Sequence, residues 1–472
     1  MREYPLIIIG GGAAAFAAAT KANDLRQKAL IVNSGLPIGG TCVNVGCVPS
    51  KHLLEVGARY FYGQRPGFPS IRPNGQFGFD FKEAVRFKNE IIEGLRKSNY
   101  VDVVENFETV EYREGKARFL SDHEIDVGGE RLYGERFIIA TGSKAKILPF
   151  PGIETVRYLT NIEALDLEYL PSSMIVVGGG PLGLEFAQMY AHFGTKVTVL
   201  EKMKRILPLE EAEVSDEMQR ILEEEGLTIH TGVDIQSVWE EQGKKFVVAT
   251  LKNEQQEFAA DEILLATGIE PKTQELGLEN AGVRVNEHGF IITNDEMQTS
   301  QKHIWAAGDC VGKLALETVA AKEGALAAEN ALSNGPFRVR KKINYDEIPH
   351  AVFTTPQVAS VGLTEGGLMR RINVCDCRTV PLSVVPKAKA VGEQRGLVKL
   401  VRNPRTGAIV GCHIVAPGAA EMIHEAVLAV KYKLTVEDII DTVHVFPTFS
   451  EGIKLAAQAF TRDISVMTCC IG

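Results

Sequence analysis

The chain has 472 residues, of which 45% are hydrophobic and 24% charged, and it carries a net charge of −9. A chain of this length exceeds what one hydrophobic core usually supports, which predicts two to four domains. The negative charge argues against general binding to nucleic acid or to an anionic membrane. No apolar run reaches the length of a membrane-spanning helix, so we expect no membrane segment.

The first apolar run, residues 6–9, could be mistaken for part of a signal peptide. Gly10, Gly11 and Gly12 interrupt it, which is typical of a strand that ends in a turn before a helix. We therefore expect a cytoplasmic protein. In such a protein, eight cysteines indicate catalysis or metal binding rather than a disulfide scaffold.

Two stretches repeat one pattern of apolar strand, glycine-rich turn, helix and second apolar strand, which predicts a duplicated βαβ unit. Such a turn brings the backbone close to a pyrophosphate at a helix N-terminus. One such motif is weak evidence, whereas two in matched surroundings are strong. The fingerprint positions are Gly10, Gly12 and Ala15 in the first unit, and Gly178, Gly180 and Gly183 in the second.

A ribose-binding residue is expected where the second strand of each unit ends, about 20 residues beyond the glycines. The first unit has Asn33 there, which can hydrogen-bond a hydroxyl but has no charge. The second has Glu201, which suits the free 2′-hydroxyl of NADH and would repel the 2′-phosphate of NADPH. Lys202, Lys204 and Arg205 could offset that repulsion or simply form a solvated loop, so the choice between NADH and NADPH stays open.

The segment 39–51 carries the most informative motif, in which four residues separate Cys42 from Cys47. In a regular helix, residues five apart are roughly 8 Å from each other, a little beyond disulfide reach. A redox pair here therefore requires a distorted helical turn, which Gly46 and Pro49 favour. Two buried structural thiols explain these flanking residues less well.

With these motifs, the chain resembles the glutathione reductase and lipoamide dehydrogenase family over nearly its whole length, and within that family the mercuric reductases. The resemblance implies that Cys47 contacts a bound FAD and that Cys42 exchanges with substrate. It also implies that Lys51 pairs with Glu185 near flavin N5, and that Asp309 binds the ribityl chain. The positions assigned to FAD are Gly10, Gly12, Ala15, Asn33, Gly40, Thr41, Lys51, Thr141, Gly142 and Asp309, and those assigned to NAD(P)H are Gly178, Gly180, Gly183, Glu201 and Gly268.

The predicted fold class is α/β, with two Rossmann-like dinucleotide-binding domains, the second inserted in the first, and a C-terminal α+β dimerisation domain. The strands that end in Thr141-Gly142 and Thr267-Gly268 mark the crossings between the first two domains. The predicted boundaries are 1–148 and 270–343 for the FAD-binding domain, 149–269 for the NAD(P)H-binding domain and 344–472 for the dimerisation domain.

The C-terminal sequence bears on the substrate. Disulfide reductases of this family carry a histidine before a Pro-Thr pair, and this chain has Phe446 at that position. Reduction of a disulfide releases thiolates that need protons, whereas reduction of a bound Hg(II) ion needs two electrons and no such acid. We interpret His444, two residues earlier, as a bystander. Thr448 stands where many mercuric reductases have tyrosine, so a role for that hydroxyl in ordering the metal is not expected.

Cys469 and Cys470 resemble the vicinal cysteine pair at the C-terminus of mercuric reductases. Soft thiolates select soft metals such as Hg(II), and a terminal segment suits a carrier. The resemblance implies a homodimer in which Cys469 and Cys470 pass Hg(II), received as a thiol complex, to Cys42 and Cys47 of the other subunit. All four are therefore candidate mercury ligands. Because the first strand begins at Leu6, we expect no separate small metal-binding domain before it.

Two alternatives stay open. One is a thioredoxin-reductase-like or other disulfide reductase, although those enzymes keep the histidine that Phe446 replaces. The other is a metal-sequestering flavoprotein that binds a soft cation without turnover. The delivering thiol and activity on other metals or disulfides are likewise open.

Two cysteine positions lie outside the resemblance. The spacing of Cys375 and Cys377 would place both thiols on one face of a strand. Without partners in the sequence, we interpret them as structural. Cys310 and Cys412 stand in apolar stretches and are expected to be buried.

Overall fold

The computed structural model describes residues 2–333 and 340–464, apart from positions 66, 69, 72–74, 76 and 77. The chain first forms β1 (Arg2–Tyr4), β2 (Leu6–Ile9), α1 (Ala13–Asp24), β3 (Ala29–Asn33), α2 (Gly40–Val45), α3 (Cys47–Gly63), α4 (Phe81–Arg96), α5 (Asp102–Glu105), β4 (Val110–Glu114), β5 (Ala117–Phe119), β6 (Glu124–Val127), β7 (Glu130–Gly134), β8 (Phe137–Ile139) and β9 (Ser143–Ala145). It continues with α6 (Asn161–Leu165), β10 (Ser173–Val177), α7 (Pro181–Phe193), β11 (Lys196–Glu201), α8 (Ala212–Glu224), β12 (Thr228–Thr231), β13 (Asp234–Glu241), β14 (Lys244–Leu251), β15 (Glu254–Ala260), β16 (Glu262–Leu265) and β17 (Ile269–Pro271). It ends with β18 (Ile304–Ala306), α9 (Glu317–Leu332), β19 (His350–Val352), β20 (Gln357–Gly362), α10 (Glu365–Ile372), β21 (Asp376–Pro381), α11 (Pro386–Val391), β22 (Leu397–Arg402), β23 (Ile409–Ala416), α12 (Ala419–Tyr432), α13 (Val436–Asp441) and α14 (Glu451–Gln458).

The first unit is built on a parallel sheet with the strand order β18-β8-β2-β3-β4. All four residues of β2 are buried, as expected for the middle strand of a parallel sheet covered on both faces. A second sheet, β1-β7-β6-β5, flanks it. The strand β18 returns to the first sheet after the whole second unit has been completed, so the second unit is inserted in the first.

The second unit repeats the same arrangement on a smaller scale. Its parallel sheet has the order β12-β11-β10-β16, and β10 pairs with β11 and β16 as β2 pairs with β3 and β8. An antiparallel sheet, β13-β14-β15, covers it, and β9 pairs with β17 where the chain crosses between the units. The two Rossmann-like units of the sequence prediction are therefore confirmed.

The C-terminal unit is an antiparallel sheet with the order β19-β20-β23-β22-β21, against which α12 and α14 pack. Its core includes Cys412, which is fully buried, as is Cys310 in the first unit. This confirms the predicted α+β class, while the boundaries at 148, 269 and 343 stay predictions. None of the helices in the described ranges is both long and apolar enough to cross a bilayer.

The helices α1 and α9 approach each other very closely on the first sheet. A Cβ atom on Gly324 of α9 would lie 2.0 Å from the carbonyl oxygen of Ala14 in α1. Backbone atoms cannot move aside as a flexible side chain can, so the contact depends on the absence of a side chain at Gly324.

We expect Gly324→Ala to destabilise the protein by about 1–3 kcal/mol, the usual cost of overpacking. The matched control is Gly94→Ala, also in a helix but with open space around its Cβ position, which should stabilise by about 0.5–1 kcal/mol. Thermal unfolding followed by circular dichroism measures both changes. Equal midpoints for the two variants would contradict the close contact.

Candidate active site

The two glycine turns have the same local structure. Gly10 and Gly178 have φ angles of +135° and +112°. A Cβ atom on Gly10 would lie 2.1 Å from Ala140 O, and one on Gly178 would lie 2.3 Å from Ala266 O. Each turn therefore packs directly on the backbone of a strand that ends in Ala-Thr-Gly.

Both turns lead into helices whose N-termini lack a capping side chain. Gly12 precedes α1 and Gly180 precedes α7, and neither helix start receives a side-chain hydrogen bond. The first backbone N–H groups of such a helix need partners, and the helix dipole favours an anion there. Gly40 allows α2 to approach the first turn, because its Cβ would lie 2.6 Å from the Cα of Gly12.

The third fingerprint position is tightly packed in both units. Ala15 is fully buried, and a Cβ on Gly183 would lie 2.0 Å from Gly178 O. At the crossings, Gly142 and Gly268 have φ angles of +71° and +101°. These residues shape the backbone around the two turns, as the fingerprint requires.

Asn33 and Glu201 lie at equivalent strand ends but have different surroundings. Asn33 Nδ2 donates to Leu36 O and to the Tyr112 hydroxyl, both at 3.1 Å. Glu201 is buried and accepts hydrogen bonds from the backbone N–H groups of Gly179, at 2.5 Å, and Met203, at 2.6 Å. Glu201 therefore sits at the second glycine turn with its charge stabilised by backbone donors.

A cavity of about 980 Å³ connects the cysteine motif with the second glycine turn. This is the upper range for a small-molecule site, large enough for a dinucleotide end. Cys42 and the first glycine turn lie outside its wall. Of the predicted site residues, the wall contains Thr41, Cys47, Lys51, Gly178, Gly180, Glu185, Glu201, Gly268 and Asp309.

The cysteine motif is a break between two helices rather than one helix with a distorted turn. The helix α2 ends at Val45 and α3 begins at Cys47, and Gly46 lies between them with φ −130° and ψ −115°. A Cβ on Gly46 would lie 2.9 Å from Thr41 O. This break brings the two thiols within hydrogen-bonding contact.

The two thiols are electrostatically different. A hydrogen bond donated by the Cys42 thiol lowers the pKa of Cys47, burial opposes that change, and the positive charge of Lys51 supports it. The same hydrogen bond, together with burial, raises the pKa of Cys42. Cys47 also lies at the N-terminus of α3, where the helix dipole favours a negative charge. Cys47 is therefore the more acidic thiol of the pair, and Cys42 is the donor of the hydrogen bond.

The structure brings Lys51 and Glu185 together, as the sequence analysis expects. Lys51 Nζ lies 2.6 Å from Glu185 Oε2, and the Glu185 side chain is only 8% exposed. The other carboxylate oxygen accepts a hydrogen bond of 2.8 Å from the backbone N–H of Phe353. Lys51 Nζ also lies 4.7 Å from the centre of the Phe353 ring. Sequence reasoning missed Phe353, because a backbone donor leaves no residue-type signal.

The segment around Phe446 also contains His444. Phe446 itself is 53% exposed. The Nε2 of His444 lies 2.8 Å from Glu425 Oε1 and its Nδ1 lies 3.0 Å from Thr442 O, so the ring is packed in place, and its interpretation as a bystander to the reaction stays a prediction. The hydrogen bond to Glu425 raises the pKa of His444, which favours the protonated ring. Cys469 and Cys470 lie outside the described residues.

Comparison with known proteins agrees with this geometry. Residues 4–324 match the pyridine nucleotide-disulphide oxidoreductase family, and residues 348–457 match its dimerisation domain. A mercuric reductase of Staphylococcus aureus is 37% identical over 471 residues, which cover all of this chain and 85% of that protein. A dihydrolipoyl dehydrogenase of Thermus scotoductus is 35% identical and covers 98% of both chains.

Comparison with solved structures supports the same fold. The Cu(II) complex of the HOCl-induced flavoprotein disulfide reductase RclA from Escherichia coli has a TM-score of 0.86 and 27% identity, covering 97% of this chain and 100% of that one. Fold and site therefore define a flavin-dependent oxidoreductase that uses a nicotinamide cofactor. The chain belongs to the pyridine nucleotide-disulphide oxidoreductase family.

The family uses FAD and NAD(P)H, and the residues present fit both groups. The uncapped starts of α1 and α7 offer one anion site for each dinucleotide. Thr141 Oγ1 is buried without a hydrogen-bond partner in the described part of the chain, as expected for a group that a bound molecule satisfies. Burial raises the pKa of Asp309, which accepts a 2.7 Å hydrogen bond from Ser143 and lines the cavity.

The pairing of His444 predicts a pH-dependent contribution to stability. Its hydrogen bond to Glu425 raises the pKa of His444 above its usual value, although burial opposes this. The pairing of His444 with Glu425 therefore adds fully to the free energy of unfolding below the unfolded pKa of histidine, about 6.5. This addition is lost as the pH rises through the pKa of His444 in the folded protein. We expect His444→Gln to cost about 1 kcal/mol near pH 6, a typical hydrogen-bond value, and less near pH 9.

Thermal midpoints of the wild type and His444→Gln at the two pH values measure this difference. The matched control is His288→Gln, whose side chain is 66% exposed and 3.7 Å from Glu287, and it should change neither midpoint. An equal loss for His444→Gln at both pH values would show that the imidazolium charge is not involved.

Proposed function

We propose that this protein reduces Hg(II) to Hg(0) with NAD(P)H at the Cys42/Cys47 pair. The observation that carries the proposal is the neighbouring pair Cys42 and Cys47, with the more acidic Cys47 at the cavity, in a chain that has Phe446 where the disulfide reductases carry their acid. The identity of 37% to a mercuric reductase over the whole chain supports it. The overall reaction balances as Hg(II) plus NAD(P)H giving Hg(0), NAD(P)⁺ and one proton.

FAD, when bound, supplies the two-electron chemistry that links the nicotinamide to the thiols. The chain's own residues have separate tasks. Cys47 is held as a thiolate beside Lys51, and Cys42 lies next to it and exchanges with the incoming thiol complex. Together the two sulfurs hold the ion as a dithiolate, the coordination that a soft cation prefers. Glu185 fixes Lys51 at the cavity.

The same proposal assigns the remaining predicted positions. Gly10, Gly12, Ala15, Asn33, Gly40, Thr41, Thr141, Gly142 and Asp309 hold FAD, and Gly178, Gly180, Gly183, Glu201 and Gly268 hold the nicotinamide cofactor. Cys469 and Cys470 deliver the metal.

A homodimer is part of the proposal. The C-terminal unit matches the family's dimerisation domain. It also exposes several large apolar side chains that would be costly to leave in water. A second copy of the chain would cover them. They are Leu428, Tyr432, Val443, Val445 and Phe446.

Steady-state oxidation of the nicotinamide cofactor tests the function. We expect thiol-bound Hg(II) to be turned over at least about tenfold faster, in kcat/KM, than oxidised glutathione, lipoamide, thioredoxin or Cu(II), a difference of about 1.4 kcal/mol in the barrier. Cys42→Ser and Cys47→Ser should abolish mercury turnover. Cys412→Ala, in the buried C-terminal core, is the control that should retain it. Faster turnover of a disulfide would replace the proposal with a disulfide reductase, and stoichiometric binding without turnover would replace it with sequestration.

The proposed delivery of Hg(II) by Cys469 and Cys470 is tested in the same assay. Cys469→Ala/Cys470→Ala should slow turnover of thiol-bound Hg(II) more than turnover of bromide-bound Hg(II), because only the thiol complex must be opened by exchange. Equal rates for this variant and the wild type on the thiol complex would show that Cys469 and Cys470 do not deliver the metal.

For the nicotinamide cofactor, the surroundings of Glu201 support NADH. Two of the basic residues that could bind a 2′-phosphate face acids instead, with Arg205 Nε 3.2 Å from Asp216 and Lys202 Nζ 4.0 Å from Asp234. These acids compete with a 2′-phosphate for Arg205 and Lys202, which supports NADH.

We expect Glu201→Gln to raise the ratio of kcat/KM for NADPH over NADH about tenfold, which corresponds to about 1.4 kcal/mol. Glutamine removes the charge but keeps one acceptor for the backbone donors. Lys202→Gln is the control and should leave the ratio within about twofold, because Lys202 already faces an acid. An unchanged ratio in Glu201→Gln would show that the carboxylate does not select the cofactor.

A further inference from the structure

The C-terminal unit contains a second pair of cysteines that the proposed function does not use. Cys375 precedes β21 and Cys377 lies in it, and the two are joined as a disulfide, with their Cα atoms 6.4 Å apart. Both side chains are half-buried. None of their atoms lines the cavity at Cys47. The pair is therefore separate from the catalytic cysteines, and reduction would turn it into two neighbouring thiols.

The structure supplies the partner that the sequence did not show. Glu365, the first residue of α10, places a carboxylate oxygen within 4.8 Å of both sulfur atoms. Its side chain is 48% exposed, which leaves a path from solvent. Two sulfurs and one carboxylate oxygen form a ligand set for a soft or borderline divalent cation, such as zinc, cadmium or mercury.

The charges around Glu365 favour a cation. Lys399 Nζ, buried at 1% exposure, lies 3.2 Å from Glu211, 2.8 Å from Glu213 and 2.9 Å from Glu365. One ammonium therefore faces three carboxylates. A divalent ion bound beside Glu365 would offset this excess at short range.

The other face of the same strand is already occupied. The guanidinium of Arg378 lies 5.1 Å from the centre of the Phe460 ring, and Arg402, which pairs with Asp376 across the strands, lies 4.6 Å from it. Because side chains alternate along a strand, Cys375 and Cys377 point away from this packed face and towards Glu365.

We propose that reduced Cys375 and Cys377, together with Glu365, bind one thiophilic divalent cation at a site distinct from the catalytic pair. Binding replaces the two thiol protons, which leave to solvent, by two metal–sulfur bonds, and Glu365 supplies the third ligand. No electron transfer is involved, and the disulfide form of the pair does not bind.

The test uses Cd²⁺ and the FAD-loaded Cys42→Ser/Cys47→Ser/Cys469→Ser/Cys470→Ser variant, reduced with a phosphine that is then removed. Of the eight cysteines, it keeps this pair and the fully buried Cys310 and Cys412. Equilibrium dialysis should give about one Cd²⁺ per chain, with ultraviolet thiolate-to-cadmium absorption. Adding Cys375→Ser/Cys377→Ser, or oxidising the pair with diamide, should remove both signals.

The role of Glu365 has a matched control. Adding Glu365→Gln should weaken Cd²⁺ binding at least about tenfold, since even outer partners of metal ligands are worth 10–100-fold. Glu213→Gln removes another carboxylate from Lys399 but no ligand, and it should leave the affinity within about threefold. Equal affinity in the Glu365 and Glu213 variants, or no binding to the reduced parent, would overturn the proposal.

A second readout does not depend on the folding of the Cys375→Ser/Cys377→Ser variant. In the reduced parent, Cd²⁺ should protect Cys375 and Cys377 from alkylation, as measured by mass spectrometry of their peptide. Alkylation at the same rate with and without Cd²⁺ would also overturn the site.

Discussion

The Glu185 carboxylate joins the three units at the cavity. It lies on α7 of the second unit, binds Lys51 on α3 of the first and accepts the backbone N–H of Phe353 in the C-terminal unit. Because its side chain is 8% exposed, these donors replace most of the water that a free carboxylate would have. Cys47 and Lys51 stand four residues apart on one helix face. The position of the Lys51 ammonium beside the Cys47 sulfur therefore depends on how all three units dock.

Much of the fold was predictable because its signals are local. The two fingerprints, and the Ala-Thr-Gly endings on which they pack, lie within short segments whose backbone geometry admits few side chains. The structure gives the physical reason in the contacts of Gly10 with Ala140 and of Gly178 with Ala266. The parallel sheets and the insertion of one unit in the other follow from that duplication, and both were confirmed.

What could not be predicted are contacts between elements distant in the chain. The contact of His444 with Glu425 involves α12, and Cys375 and Cys377 had no visible partner because Glu365 reaches them only through the packing of α10. The contact of Glu185 with Phe353 involves a backbone donor, which any residue would provide. The break at Gly46 was anticipated as a distortion, but its form as two helices depends on the close approach of Gly46 to the carbonyl oxygen of Thr41 in α2.

The two cysteine pairs in the described residues have opposite electrostatic surroundings, which separates their chemistry. Cys47 lies at a helix N-terminus beside Lys51, and both features favour a thiolate before any metal arrives. Such a sulfur is ready for exchange and electron transfer. Glu365, beside Cys375 and Cys377, belongs to a group of three carboxylates that share the ammonium of Lys399. Negative charge next to these sulfurs suits the retention of a cation that we propose for this pair, whereas positive charge next to Cys47 suits the exchange and electron transfer that we propose for the catalytic pair.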